Sequence, residues 1–245
     1  MWMGGSLPAL AFSDYNGGAM NLRTLLRLAA TALVAAGLAA AGTAPAPLTA
    51  DPGFKLLFNG VDMNGWQHAG DGSFSIENGE LVTHGGMGLL WYTRKKFTNY
   101  ILRVTYRETS HHDNSGVFIK IGPDQPAGPK GAWYGVNNGY EIQIDDHDNE
   151  FHRTGCVYSM VRCGVNSKPS GEWNLMEIRV HGRTINVFMN GKQVTHFVET
   201  QPVPPKKESW EPDRHLRPLS GYIGLQNHGG DVEVHFRKVE IKELP

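Results

Sequence analysis

Between residues 140 and 146 the chain reads YEIQIDD, so that Glu141, Gln143 and Asp145 alternate with Ile142 and Ile144. Successive side chains of a strand point to opposite faces, which sends the isoleucines into a core and gathers the three polar groups on the other side. The same two-residue period recurs at 73–84 (SFSIENGELVTH), 100–108 (YILRVTYRE), 116–121 (GVFIKI), 174–182 (NLMEIRVHG), 184–191 (TINVFMNG), 222–228 (YIGLQNH) and 232–244 (VEVHFRKVEIKEL). Helical periodicity is nearly absent. Gly, Asn, Asp and Pro punctuate the runs, and MNGK at 189–192 places Asn190-Gly191 where a tight hairpin needs positive φ. The pattern predicts an all-β antiparallel fold of two sheets packed as a β-sandwich. Two stretches, 122–139 and 201–220, do not read as strands. They are long, rich in Pro or Gly, and carry Trp133, Tyr134 and Trp210. Loops of that length in a compact domain are usually functional or disordered, and the aromatics argue against disorder.

With the isoleucines inward, the strands can be aligned by face. Ile223 and Leu225 inward leave Tyr222, Gly224, Gln226 and His228 outward. Val117, Ile119 and Ile121 inward leave Asn114, Gly116, Phe118 and Lys120 outward. Together with Glu141, Gln143 and Asp145 these form one polar sheet face. Such a face is often merely solvated. This one lacks the Thr and scattered Lys/Glu of a bland surface, and its glycines suit a concave floor, so it is read as a site. Of the aromatics, Trp133 and Tyr134 are the candidates for stacking on a ligand, while Trp66 and Trp173 are assigned to the core.

Composition narrows the function classes. Lys+Arg 23 against Asp+Glu 24 argues against an electrostatic nucleic-acid binder, which needs a basic stripe. Residues 1–50 differ from the rest: a basic start after Met20, an apolar Ala-rich run over 28–41, and small residues with Pro before Asp51. This is the layout of a secretory signal peptide, with Met20 as the expected start and cleavage near 44–50; the apolar run is short of the ~20 residues of a membrane span. The expectation is an exported protein, secreted or in the cell envelope, with no membrane anchor after cleavage and one domain over 51–245. Cys156 and Cys163 are the two cysteines. In an oxidising compartment they could close a small loop; the alternative is a pair of buried thiols.

The motifs that remain carry a resemblance. LFNGVDMNGW (57–66), LLWYTRKKFTNYILRVTYR (89–107), NSGVFIK (114–120), GYEIQIDD (139–146), TGCVY, KPSGEWN, NGKQV, RPLSGYIGLQNHG (217–229) and FRKVEIKEL occur in the order of the 3-keto-disaccharide hydrolase-like domain family. The chain resembles that family from about residue 53 to 244. The resemblance implies a concanavalin A-like jelly roll acting on glycosides whose sugar is oxidised to a ketone at C3. Lys120 stands where the family usually has Arg, Cys156 where a small non-cysteine residue is usual, and Phe236-Arg237-Lys238 replaces a Phe-Arg-Asn ending. Lys cannot make the planar two-pronged contact of Arg.

A 3-keto sugar makes elimination chemically reasonable. The ketone acidifies the C2 hydrogen, a base removes it, the C1 oxygen leaves, and water then adds. Glu141 is the candidate base, His228 the acid or second base, and Asp145 a third catalytic candidate. Lys120 or a metal would polarise the ketone. Asn114, Gln143 and Gln226 join Lys120, Trp133 and Tyr134 as candidate substrate contacts. The sequence itself requires no cofactor. The run DDHDNEFH offers Asp145, Asp146, His147, Asp148, Glu150 and His152 to a divalent metal, but at no recognised spacing, and a solvated acidic loop is the plainer reading. Two rival functions stay open: a non-catalytic carbohydrate-binding module, and a conventional retaining glycosidase. For the latter, Glu141 and Asp145 lie ~13 Å apart along a strand, against the ~5–5.5 Å that retaining chemistry uses.

Overall fold

The computed structural model describes residues 47–122, 124–126, 128 and 130–245. The leader expected over 1–50 falls almost wholly outside these residues. No helix among the described residues is long and apolar enough to cross a membrane.

Two antiparallel sheets face one another. The larger is built from β1 (Lys55–Phe58), β3 (Ser73–Glu77), β4 (Glu80–His84), β6 (Tyr100–Glu108), β9 (Asn174–His181), β10 (Thr184–Met189), β11 (Lys192–Val198) and β13 (Val234–Glu243). Its order is β11-β10-β9-β6-β13-β4-β3, with β1 also paired to β13. The smaller runs β2 (Trp66–Gly70), β5 (Gly88–Tyr92), β12 (Tyr222–Asn227), β7 (Ser115–Ile121) and β8 (Tyr140–Ile144). All the strands expected from alternation are present. The β10–β11 hairpin turns at Asn190 and Gly191 with φ of 49° and 84°, the conformation its sequence demands. Strands β1, β2 and β5 escaped the alternation reading, and β11 was implied only by the MNGK turn before it. The run Leu89, Leu90, Trp91 of β5 is buried on both faces and so shows no period of two.

The inter-sheet core follows the predicted faces. Val117, Ile119, Ile142, Ile144, Ile223 and Leu225 of the small sheet meet Leu102, Val104, Tyr106, Ile178 and Phe236 of the large one. Each such side chain, fully buried, contributes ~1.5–3 kcal/mol. Trp66 is also buried here and donates its indole N–H to Leu57 O at 2.7 Å, whereas Trp173 is only half-buried, beneath the guanidiniums of Arg107 and Arg237.

The outer face of the small sheet carries a second, smaller core: Leu89, Trp91, Phe118 and Ile121 under Ala132 and Val136. The last two belong to α1 (Gly131–Asn138), a helix inside the stretch expected to be a loop. Two turns of GAWYGVNN have little intrinsic helicity, so packing must supply the stability. The helix lies close to the sheet because Gly131 and Gly135 have no side chain: a Cβ at 131 would strike Ala69, and one at 135 would meet Leu89.

Lys120 overturns its assigned face. Its φ is +55°, and the pairing of β12 with β7 shifts register between Tyr222 and Gly224. This bulge inserts one residue into the alternation. Ile119 points inward as expected, Lys120 also turns inward, and Ile121 goes outward to the second core. The Lys120 ammonium is fully buried, bonded to Glu199 and to Gly182 O. Glu199 is held in turn by Arg183 at 2.7 Å. Lys120 ties the two sheets together and cannot reach a ligand on the outer face.

Cys156 and Cys163 are joined by a disulfide, with Cα atoms 5.0 Å apart. Closing a loop of this size removes denatured-chain entropy worth ~2–3 kcal/mol. Cys156→Ser with Cys163→Ser is therefore expected to lower Tm by ~5–10 °C, read by thermal unfolding. An unchanged Tm, or two thiols labelled after unfolding without reductant, would show that no bond contributes.

Candidate functional site

Beside α1, the outer face of the small sheet opens into a cavity of about 250 Å³. Its floor is Asn114, Glu141, Gln143 and Gln226; His228 and Met87 stand on one side, Trp133 and Val136 on the helix side, and Tyr158, Asp148 and Trp210 opposite. Three strands position the floor. Gly116 pairs with Gln143 and Phe118 with Glu141, while Leu225, the residue before Gln226, pairs with Val117. The Ser115 hydroxyl donates to Gln226 O at 2.7 Å and ties β7 to β12 at the floor.

Glu141 is buried, 7% exposed. Its carboxylate lies over Gly116, where a Cβ would come within 2.8 Å of its Cγ, so glycine is what lets the acid lie flat on the floor. Burial pushes its pKa up to about 8, with the Gln226 amide hydrogen bond opposing. The side-chain oxygens of Gln143 and Gln226 are buried without hydrogen-bond partners. Buried acceptors of this kind are rare unless something else satisfies them. A ligand rich in hydroxyl donors would do so.

Asp145 stands apart from the cavity lining. Its carboxylate accepts from Asn114 Nδ2 at 2.9 Å and from the His147 backbone N–H at 2.9 Å, and its own backbone N–H donates to Thr154 Oγ1 at 2.8 Å. Burial raises its pKa, partly offset by the backbone donors. Asn114 in turn accepts from Gln143 Nε2 at 3.2 Å, so Asp145 fixes the floor through Asn114 rather than facing a ligand. His228 is exposed at the cavity mouth, yet the protein atoms around its ring hold its pKa below the ordinary imidazole value, with the Asp145 charge pulling the other way.

Trp133 projects from α1 into the cavity wall and is 45% exposed. Tyr134, on the next helical position, faces elsewhere: its hydroxyl accepts from the Asp124 backbone N–H at 2.8 Å. Trp210, from the long strandless segment, forms the opposite wall and is 55% exposed. That segment is pinned by Arg217, fully buried, whose guanidinium donates to Gly139 O, His215 O and Asp213 O.

Tyr158 was not legible in the sequence. Residues 155–158 run along β8, with Gln143 N–H donating to Cys156 O, Gly155 N–H to Gln143 O and Tyr158 N–H to Glu141 O. This segment covers the edge of the small sheet and sets Tyr158 beside Glu141. Burial, and next the Glu141 charge, push the Tyr158 pKa far up, so its hydroxyl keeps its proton and can donate a hydrogen bond. In the run DDHDNEFH, among the described residues, no group of three or more His, Cys, Asp or Glu is arranged to hold a metal ion.

Comparison with known proteins bears on this arrangement. The 3-keto-alpha-glucoside-1,2-lyase-like domain matches over residues 53–242. A 3-keto-disaccharide hydrolase of Bacteroides thetaiotaomicron is 26% identical, over 81% of this chain and 80% of that protein. A candidate glycosyl hydrolase of Parabacteroides distasonis, solved by crystallography, superposes with a TM-score of 0.63 at 23% identity, covering 82% of this chain and 100% of that one. A Bacillus subtilis protein with a galectin-like fold gives a TM-score of 0.54 at 12% identity, over 82% and 97% of the two chains. These last two likenesses are of fold, and they agree with the all-β sandwich seen here. The sequence match takes in the whole polar floor and both sheets: the chain belongs to the family of 3-keto-alpha-glucoside-1,2-lyase-like domains.

Proposed function

We propose that this protein is an exported, hydrolase-like enzyme that cleaves 3-keto-glycosides by elimination followed by hydration, with Glu141 as the base. Family membership and the named hydrolase relative support a hydrolase-like activity on glycosides. The observation that carries the finer reading is the buried Glu141 carboxyl on the cavity floor, with a pKa near 8 and unpartnered amide oxygens on either side. A general base works best when its pKa lies near the operating pH.

In the proposed route Glu141 takes the proton from C2 of the 3-keto sugar. The electron pair forms the C1–C2 double bond as the C1–O bond breaks, passing through an enolate whose oxygen needs a donor. Tyr158, held protonated next to Glu141, takes the role first given to Lys120, which the fold buries between the sheets. His228 passes a proton to the departing oxygen and accepts one from the attacking water. Hydroxide then adds at C1, and Glu141, its carboxyl proton exchanged with solvent between the two steps, delivers a proton to C2, so water is consumed overall and the ketone is retained. Trp133 and Trp210 stack on the sugar rings.

The test is to incubate the protein with a 3-keto-disaccharide and with its unoxidised parent in D2O. Release from the keto substrate alone, with deuterium at C2 of the product, is the expected result. Cleavage of the parent without C2 exchange would indicate a conventional glycosidase, with the product anomer deciding whether it retains, and sugar affinity without turnover a binding module. Gly116→Ala is a second check. It forces Glu141 off the floor, and a misplacement of this order costs ~10²-fold in turnover. Turnover unchanged from wild type would mean that the cradle under Glu141 has no catalytic role.

A further inference from the structure

A second cavity, of about 670 Å³, lies against the first. Three pairs of consecutive residues form the partition: Asp148, Tyr158 and Trp210 line the first cavity, and Asn149, Ser159 and Glu211 line the second. The second is a different chemical environment. Its lining carries Arg153, Arg162, Lys207 and Arg214 against Glu150 and Glu211. Both acids are already compensated, Glu150 by Arg162 at 3.0 Å and Glu211 by Arg214 at 2.7 Å. Arg153 and Lys207 have no carboxylate partner among the described residues. The surplus is two positive charges.

The wall also holds hydrogen-bond donors with nothing to bond. Ser159 is 3% exposed and its hydroxyl has no partner, and the same is true of Arg153 Nε and His152 Nε2. Asn149 Nδ2 lies 2.8 Å from His152 Nδ1, so Nδ1 accepts and Nε2 carries the proton. Glu211 Oε1 is 3.6 Å from that nitrogen, outside hydrogen-bond reach. Ser159 also sits at φ +55°, a left-handed conformation that strains a non-glycine residue and clusters at functional sites.

We infer that this cavity is a binding site for an oxyanion group, a carboxylate, sulfate or phosphate, held beside the first cavity. An oxyanion supplies acceptors to three unpartnered donors and charge to two unpaired cations, the two deficits of the wall. This inference does not depend on the chemistry of the first cavity.

Thermal unfolding of the full protein at fixed ionic strength tests it, with sodium glucuronate, sodium sulfate and glucose as separate additions. A ligand at ten times its Kd raises Tm by ~3–6 °C for a domain of this size. Sulfate also stabilises proteins non-specifically, so the shift is compared in Lys207→Met and Ser159→Gly. Neither change endangers folding, since Lys207 is exposed and glycine favours the positive φ at 159. The expected result is an anion-dependent shift in the wild type that both variants lose, with glucose giving none that they lose. A shift with glucuronate alone identifies an acidic sugar as the source of the oxyanion; a shift with sulfate as well identifies the bare anion as sufficient. No shift with either anion, or an equal shift in wild type and both variants, overturns the site.

Discussion

Glu141→Gln lowers turnover of a 3-keto-glycoside by ~10²–10⁴-fold, the usual contribution of a positioned general base. The amide keeps the shape that rests on Gly116 and removes the only group on the floor with a pKa near 8. In the wild type, kcat/KM should rise with pH toward that value, as the free enzyme's carboxyl ionises, and this limb should vanish in the variant. The sequence places Glu141 on a wetted face, from which an isosteric change would leave stability nearly unmoved. Its burial changes that expectation. A carboxyl whose folded pKa is raised contributes most below its unfolded value, near 4.5, and that contribution is lost as pH rises toward 8. The variant should therefore match the wild type near pH 4.5 and exceed it in Tm at pH 8. Wild-type turnover by Glu141→Gln would remove Glu141 from the base role.

Glu108→Gln has the largest expected effect on stability. Glu108 ends β6 at 1% exposure, and neither carboxylate oxygen has a partner within hydrogen-bond distance. Burial pushes its pKa to about 9, and the charges of Asp146, Asp113 and Asp145 push the same way. The sign follows as for Glu141: stability is full below about pH 4.5 and is lost as pH climbs to 9. Between 4.5 and 7 the loss is on the order of 3 kcal/mol, at ~1.4 kcal/mol per pH unit. Glu108→Gln removes this pH dependence, so denaturant unfolding should show variant and wild type alike at pH 5 and the variant ahead at pH 8. Parallel curves across that range would mean that Glu108 does not titrate in a buried, unpartnered state.

Alternation of side chains carried the reading furthest where strands bury one face. Ile142, Ile144, Ile223 and Leu225 lie inward as their spacing requires, and Glu141, Gln143 and Gln226 come together on the floor for the same reason. The reading fails wherever something other than period two decides position. A bulge, set by backbone pairing with β12, moved Lys120 through the sheet. Asp145 keeps its predicted face but is claimed by Asn114 and two backbone contacts, which no spacing announces. Tyr158 arrives through a loop with no periodicity, pinned by backbone bonds to β8. Tyr134 and Trp133 are neighbours on a helix, so only one can face the cavity. Glu108 obeys the same period although nothing singled it out in the sequence: Tyr100, Leu102, Val104 and Tyr106 are inward in YILRVTYRE, and the next inward position is the glutamate.

The small sheet has an apolar core on each side, and α1 is seated on the outer one alone. The helix borders the cavity through Trp133 and Val136 without entering the packing between the sheets. Natural variation can therefore re-sequence the positions of α1 that do not cover that outer core, and with them the wall that carries Trp133, without touching the packing between the sheets. The floor has no such freedom, because Glu141 and Gln143 alternate with residues on which both sheets depend. Within such a lineage, descendants can diverge along that wall while inheriting the same polar floor.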